Sequence, residues 1–298
     1  MNFKQITVAG SGVLGSQIAF QTAYKGFDVT VYDITEDALD EARNRFNKLK
    51  EHYKEDFQTS DDILSQTEHR ITLETDLATA AKNADLVIEA IPEVVEIKQE
   101  FYQKLGKLAP DHTIFATNTS TLLPSQFAEA TGRPEKFIAL HFANEIWRNN
   151  TAEIMKHEAT DDQVFNDLVS FAEAIGMVAL PLHKEQPGYI LNSLLVPLLD
   201  AAQMLFAKGV ADHETIDKTW MIATGAPKGP FAILDVVGIN TAYNIVKGKA
   251  EKSGDPAIQQ LADYLKTEYI DQNKLGTSTG EGFYQYPNPR YEQADFLK

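Results

Sequence analysis

The apolar run at residues 6–9 leads directly into Gly10-Ser11-Gly12-Val13-Leu14-Gly15, and a helical pattern begins at once. This strand–glycine–helix passage constrains the fold more than any other feature of the chain. Gly10 allows a tight turn, Gly12 lets the backbone approach a diphosphate, and Gly15 lets helix and strand pack closely. Unpaired N–H groups at the start of that helix, around Val13 and Leu14, then face the anion. Residues 29–32 read as a second strand, and Asp33 ends it, 23 residues after Gly10. A carboxylate there accepts hydrogen bonds from a ribose and repels a 2′-phosphate. No Lys or Arg occurs in the next four residues, Ile34-Thr35-Glu36-Asp37. The unit is therefore expected to bind NAD in preference to NADP or FAD. The competing reading is an ordinary turn with a helix-capping Asp.

Further short apolar runs at residues 86–90, 113–117 and 137–140 alternate with amphipathic stretches of helical length. Continuous apolar strands alternating with helices argue for an α/β fold, a Rossmann-type doubly wound parallel sheet. Runs near 152–155 and 178–180 are candidates to extend its edge. Beyond Leu182 the texture changes. Gln186-Pro187-Gly188 is a turn, and the remainder of the chain reads as helices separated by Gly/Pro-rich breaks such as 225–230. The expected division is a Rossmann domain over 1–185 and an all-α substrate and dimerisation domain over 186–298. Residues 189–207 are apolar over much of a helix circumference, which suits burial within that domain or in a homodimer. The 17 residues 190–206 carry Asn192, Ser193, Pro197 and Asp200, so they read as short and polar for a membrane span.

Charge and cysteine content narrow the function classes. With 43 acidic against 27 basic residues, the formal net charge is −16. Such a surface repels nucleic acid and anionic lipid, so neither is expected as a partner. There is no cysteine. That removes disulfides, thiolate metal sites and cysteine nucleophiles, and it fits a reducing compartment. No metal site is expected. The first residues enter a strand pattern directly, so a targeting peptide is not expected and a cytoplasmic location is.

Three later motifs carry chemistry. Asn118-Thr119-Ser120-Thr121 ends one strand, His141-Phe142-Ala143-Asn144 ends the next, and Glu153 stands 12 residues beyond His141. Strand ends on the carboxyl side are where such sheets hold ligands. Pro187-Gly188-Tyr189-Ile190-Leu191-Asn192 then opens the second domain. Histidine is the side chain that titrates near working pH and so can serve as a general base. Of seven histidines, His52, His69, His112, His157, His183 and His213 lie among charged or loop residues and read as surface groups. His141 alone ends an apolar strand. On the residues alone it serves equally as a base or as a core histidine. Ser120 also reads as the N-cap of a helix near Leu122, and Asn192 as a cap or an intrahelical bond. Glu153 also reads as solvated, like Glu158, Asp161 and Asp162.

This constellation resembles the L-3-hydroxyacyl-CoA dehydrogenase family, an NAD-dependent group of fatty-acid metabolism. The resemblance covers nearly the whole chain, including Gly229-Pro230-Phe231, Leu234-Asp235, Gly238 and Gly280-Glu281-Gly282-Phe283-Tyr284. It implies that His141 takes the proton from a 3-hydroxyl while hydride leaves that carbon, and that Glu153 orients the imidazole. It further implies that Ser120 and Asn192 hold the substrate oxygen. Glu93, Lys98, Asn118 and Asn144 are implied on the cofactor side. The implied substrate is an acyl-CoA thioester, short-chain, and the implied assembly is a homodimer. Arg43, Arg45, Lys48, Lys50 and Lys54, set against Glu51, form the candidate contact for CoA phosphates; the alternative is a mixed-charge solvated helix.

The chain departs from the family pattern at Glu145-Ile146-Trp147-Arg148-Asn149-Asn150, a segment expected to border the acyl pocket, and at Ser193 and Ser278. Trp147-Arg148 would suit a charged substrate, so the rival is a sister enzyme for a small non-CoA 3-hydroxy compound such as L-gulonate or L-carnitine. A non-catalytic NAD-binding protein is the rival from another class.

Overall fold

The computed structural model describes residues 3–298. It divides into two compact units, residues up to Asn192 and Ser193–Lys298.

The first unit alternates strand and helix. Strand β1 (Gln5–Ala9) passes through the glycine turn into helix α1 (Val13–Tyr24), and β2 (Asp28–Tyr32) comes next. A helical pair, α2 (Glu36–Phe57) and α3 (Asp61–His69), precedes β3 (Ile71–Glu74). Then come α4 (Leu77–Ala81), β4 (Leu86–Glu89), α5 (Val95–Leu108), β5 (Ile114–Thr117) and β6 (Phe137–Phe142). Strand β7 (Thr151–Met155), helix α6 (Asp162–Ala174) and β8 (Val178–Leu182) complete the sheet. Strand order is β3-β2-β1-β4-β5-β6-β7-β8. The order reverses between β1 and β4, the switch point where such sheets bind ligands beyond the strands' carboxyl ends.

β1 to β6 are all parallel, whereas β7 runs antiparallel to β6 and parallel to β8. The reversal has a simple cause. Parallel neighbours need a crossover of a dozen or more residues, and only residues 143–150 join β6 to β7. Strand β3 was not anticipated. Its residues Ile-Thr-Leu-Glu are half-buried at an edge, so they lack the continuous apolar run that marks the central strands.

Helix α2 shows how local chemistry fixes an element. Thr35 caps it by accepting from the Ala38 N–H, and Glu36 and Asp37 complement the positive end of its dipole. Leu39, Ala42, Phe46, Leu49 and Tyr53 recur at helical spacing and are buried. They pack in one core with Ile18 and Phe20 of α1 and Val29 and Val31 of β2.

The second unit is helical. Helix α7 (Tyr189–Ala207) enters it, and α8 (His213–Thr224), α9 (Pro230–Val237), α10 (Ile239–Ser253) and α11 (Pro256–Leu265) succeed it. Helix α7 has 19 residues and a mean hydropathy of 1.6 in its most apolar stretch, so it is long and apolar enough to cross a membrane by length and composition. This corrects the shorter, more polar segment expected from the sequence, because the helix starts one residue earlier and continues to Ala207.

Two buried carboxylates organise this unit. Asp217 of α8 accepts from the Phe231 and Ala232 N–H groups at the start of α9, at 2.8 and 2.9 Å, and from the Tyr284 hydroxyl at 2.9 Å. Asp235 of α9 accepts from the N–H groups of Phe283 and Tyr284, at 2.8 and 2.9 Å, and from the Tyr286 hydroxyl at 3.0 Å. A Cβ on Gly229 would lie 2.3 Å from the Asp217 carboxyl carbon, and one on Gly282 would lie 2.1 Å from Asp235 Oδ1. The Gly-Pro-Phe, Leu-Asp and Gly-x-Gly-Phe-Tyr motifs therefore serve the frame of this unit.

Candidate active site

The glycine turn has the shape a dinucleotide needs. Gly10 has φ +100°, and a Cβ there would lie 2.4 Å from the Ala90 carbonyl oxygen. A Cβ on Gly15 would lie 1.9 Å from the Gly10 carbonyl oxygen. Gly12, by contrast, faces open space, with nothing within 4 Å of where its Cβ would be. That opening belongs to a cavity of about 510 Å³ lined by Gly10, Gly12, Asp33, Ile34, Pro92 and Phe101, among others. A second cavity, about 300 Å³, is lined by Gly12, Val13, Leu14, Gly15, Glu93, Lys98, Asn118 and Ser120, among others. An apolar slot beyond Asp33 and a narrower cleft at the helix start fit the adenosine and diphosphate–nicotinamide parts of NAD.

Asp33 is held in place by its own neighbours. Its Oδ2 accepts from the N–H and hydroxyl of Ser11 at 2.7 and 2.6 Å, and Oδ1 accepts from the Ile34 N–H at 2.8 Å. Replacing Asp33 with Ala should raise the apparent Kd for NADH roughly 10- to 100-fold, the range of one or two charge-assisted hydrogen bonds. It should narrow the gap to NADPH by a comparable factor. Fluorescence titration with both cofactors measures this, and an unchanged ratio would remove Asp33 from the ribose site.

Register makes the second feature. In the β6–β7 ladder, His141 and Glu153 are direct partners. Opposed residues on one face lie within side-chain reach, and a slip of one residue would send either to the other face. His141 Nδ1 is 2.9 Å from Glu153 Oε2, and His141 Nε2 is 3.3 Å from the Ser120 hydroxyl. Because a carboxylate only accepts, Nδ1 carries the proton and Nε2 presents its lone pair toward Ser120. Both partners are buried, His141 at 5% exposure and Glu153 at 3%. The other carboxylate oxygen of Glu153 accepts from the N–H groups of Ile190 and Leu191 at 2.8 and 3.0 Å. Burial alone would raise the Glu153 pKa. The hydrogen bonds from His141, Leu191 and Ile190 outweigh it and hold the carboxyl below its ordinary value.

Around this pair the other named residues take distinct places. Asn118 accepts from the Phe142 N–H at 3.0 Å, tying the end of β5 to β6. Thr119, not Ser120, caps the turn, since its hydroxyl accepts from the Leu122 N–H at 3.1 Å. Ser120 keeps its hydroxyl for His141. Glu93 Oε1 accepts from the N–H groups of Ser120 and Thr121, each at 3.0 Å, and from the Thr119 hydroxyl. Lys98 lies between Glu93, 3.2 Å away, and Glu89, 2.5 Å away, and is itself buried. Glu89 also accepts from the hydroxyls of Tyr102 and Thr117 at 3.0 and 2.7 Å. Glu93 and Lys98 thus line the cavity while bracing the Ser120 loop. Asn192 sits in the first turn of α7, its N–H donating to the Gly188 carbonyl at 3.0 Å.

Three expectations need correction. Glu145 to Asn150 fold onto α1 and α2. The Trp147 indole N–H donates to Asp56 Oδ2 at 2.7 Å, and Arg148 forks onto both oxygens of Asp56 at 2.7 and 3.1 Å. The indole also stacks on His52 and belongs to the main core. Arg148 is therefore committed to Asp56, which removes the argument for a charged substrate. Second, four of the five basic residues at 43–54 are ion-paired, which favours the alternative of a mixed-charge solvated helix. Arg43 meets Asp40, Arg45 meets Glu41 at 2.7 Å, Lys50 meets Glu68 at 3.0 Å, and Lys54 meets Asp61 at 2.8 Å. Third, His157 is buried at 5% exposure, with Nε2 3.0 Å from the Pro134 carbonyl oxygen, and is not a surface group.

Gln17 escaped the sequence reading. Its amide donates to Asn144 Oδ1 at 2.8 Å and accepts from the N–H groups of Glu145 and Ile146 at 2.8 and 3.3 Å. A polar residue recurring on the otherwise apolar helix α1 was the available signal. Tyr189, stacked on His141, stood out in the sequence only as part of a motif.

Residues 5–186 match the NAD-binding domain of 3-hydroxyacyl-CoA dehydrogenase, and residues 188–286 match its C-terminal domain. The human mitochondrial hydroxyacyl-coenzyme A dehydrogenase is 37% identical, over 95% of this chain and 91% of that relative. A probable 3-hydroxybutyryl-CoA dehydrogenase of Bacillus subtilis is 32% identical, over 96% and 98%. Among solved structures, a diketoreductase acting on dicarbonyl compounds is 56% identical with a TM-score of 0.90, over 96% of this chain and all of that one. FadB2 of M. tuberculosis is 28% identical with a TM-score of 0.85, over 96% and 100%. With both domains matched in order behind a glycine turn shaped for NAD, the chain belongs to the 3-hydroxyacyl-CoA dehydrogenase family and is an NAD-dependent oxidoreductase.

Proposed function

We propose that the enzyme interconverts L-3-hydroxyacyl and 3-oxoacyl compounds, with short-chain acyl-CoA thioesters as its substrates and His141 as the proton-transferring group. The observation that carries this reading is the His141–Glu153 register pair, with Nε2 turned toward Ser120. When bound, NAD would supply the acceptor for the hydride leaving C3 of the alcohol. His141 Nε2 takes the hydroxyl proton, while Nδ1–H stays donated to Glu153. The ionised Glu153 offsets the imidazolium charge so formed, and its two bonds to the start of α7 keep it from rotating away. The Ser120 hydroxyl holds the substrate oxygen near Nε2, with the Glu93 contacts fixing the loop, and Asn192 is its partner in that task. In reduction the imidazolium returns the proton to the alkoxide oxygen.

A second reading, a 1,3-dicarbonyl substrate without CoA, has specific support. The diketoreductase shares more than half of its residues with this chain. Four of the five basic residues that would meet CoA phosphates pair instead with Asp40, Glu41, Glu68 and Asp61. Comparing kcat/KM for acetoacetyl-CoA, its N-acetylcysteamine thioester and ethyl acetoacetate separates the two. Binding energy from a remote handle raises kcat/KM for the substrate that carries it. An advantage of the CoA thioester of roughly 100-fold or more, about 3 kcal/mol, supports the first reading. Equal values support the second.

The helical unit is proposed to pair with a second copy of the chain. Leu194 is 70% exposed and Ile222 61% exposed, and Leu205, Val236 and Ile245 are exposed as well, an apolar display in a chain of net charge −16. Sedimentation velocity should give twice the chain mass, and Leu194→Glu should shift it toward the monomer. A wild-type monomer at micromolar concentration would end this proposal.

A further inference from the structure

We infer that Tyr189 is a positioning residue for the catalytic histidine: its ring covers one face of the His141 imidazole and holds the ring in the plane that joins Glu153 to Ser120. This rests on the reading of His141 as the base. The two rings are nearly parallel, with an interplanar angle of 16° and centroids 4.4 Å apart. Tyr189 is fully buried, in a small cluster with Ala139, Met155 and Leu182 from β6, β7 and β8, so the phenol has a wall behind it. An imidazole can tilt about its last side-chain bond, and such torsions are broad. Here the tilt would drive a ring edge into the phenol. Nδ1 is thereby kept toward Glu153 and Nε2 toward Ser120. Water is also kept from that face, which strengthens the His141–Glu153 contact in a site of low dielectric.

The backbone supports the assignment. Tyr189 has φ +55°, a left-handed conformation that a bulky side chain rarely takes. It comes directly after Gly188, also at positive φ, and its N–H donates to the Gln186 carbonyl at 3.0 Å. The same turn aims the next two N–H groups, Ile190 and Leu191, at Glu153 Oε1. One residue thus sets both members of the pair, the histidine through its ring and the glutamate through the path of its backbone. Only the ring contribution is removed by changing the side chain.

The test compares Tyr189→Phe, Tyr189→Leu and His141→Gln with acetoacetyl-CoA and, in parallel, ethyl acetoacetate. Phe keeps the ring and should hold kcat within about threefold, while Leu should lower kcat roughly 10- to 100-fold, the range for a misaligned catalytic group. The NADH Kd should not change, since Tyr189 lines neither cofactor cavity. A Leu variant within threefold of wild type, or a Phe variant as impaired as Leu, overturns the inference. A readout on the wild-type enzyme does not depend on the variants folding. In ¹H–¹³C histidine spectra recorded where the imidazoles are neutral, the ring-proton signals lost in His141→Gln should lie upfield of those of the exposed histidines because of the stacked ring, and a position among them overturns the inference. The outcomes separate the two claims. Full activity in His141→Gln refutes the base reading, whereas an inactive His141→Gln beside an active Tyr189→Leu refutes only the role of Tyr189.

Discussion

His141→Gln is expected to lower kcat for 3-oxoacyl reduction by roughly 10²- to 10⁴-fold, the usual worth of a positioned acid–base group. NADH affinity should stay within about twofold of wild type. Glutamine matches the histidine in reach and can still bond Glu153, so the fold is preserved while the proton carrier is lost. The cofactor cavities are lined by the glycine turn, Asp33, Glu93, Lys98, Asn118 and Ser120, and of these only Ser120 meets the imidazole, through its hydroxyl, while His141 itself lines neither. A split of this kind, with turnover lost and binding kept, marks a group that acts in the transition state. A loss smaller than about tenfold would mean that the proton travels by another route.

The largest stability effect is expected in the helical unit, at Asp217. Truncation to Ala strands the Phe231 and Ala232 N–H groups and the Tyr284 hydroxyl, all buried. Leaving a buried donor unmade costs about 1–3 kcal/mol, so the three together reach roughly 3–5 kcal/mol after relaxation. For a unit of this size that corresponds to a fall in Tm of about 10 °C or more, read by calorimetry.

Its neighbour Asp235 adds a pH signature. Burial, opposed by the Phe283 and Tyr284 N–H groups and the Tyr286 hydroxyl, pushes its carboxyl up to about 6. An unfolded Asp titrates near about 3.9, so between pH 4 and 6 the native state binds more protons than the unfolded one. Stability from this group is therefore full below about pH 4 and is lost as pH rises to about 6, by roughly 2–3 kcal/mol. In Asp235→Asn that pH-dependent loss should vanish. The same slope in both proteins would contradict it.

The line between legible and hidden features of this chain is a physical one. The glycine turn, the central strands and Asp33 are local features, with the informative residues adjacent or one helix apart. They could be read directly. The His141–Glu153 pair was legible only through the family resemblance, since the residues alone left His141 as base or core histidine; the short β6–β7 connection is what turns a spacing of 12 residues into direct opposition across a ladder. Asp56 and Trp147 are 91 residues apart, and nothing in either neighbourhood announces the other. Trp147-Arg148 therefore resembles a pocket element in the sequence when it is a strut between a loop and α2. Glu89 is hidden differently. Within Leu86-Val87-Ile88-Glu89 it reads as the end of an apolar strand, and its meaning depends on Lys98, Tyr102 and Thr117 converging on it. The basic run at 43–54 reads as more isolated than it is because charge is counted along the chain. Its partners Glu68 and Asp61 come from α3, folded back alongside α2.

The central claim is that this site reduces a 3-oxo carbonyl with NADH to the L alcohol. The most direct measurement is NADH oxidation by the wild-type enzyme with acetoacetyl-CoA, coupled to chiral analysis of the product. Saturable turnover, a clear preference for NADH over NADPH, and the L-3-hydroxy product are expected. Absence of turnover with the thioester and with ethyl acetoacetate alike, or formation of the D product, would contradict the claim.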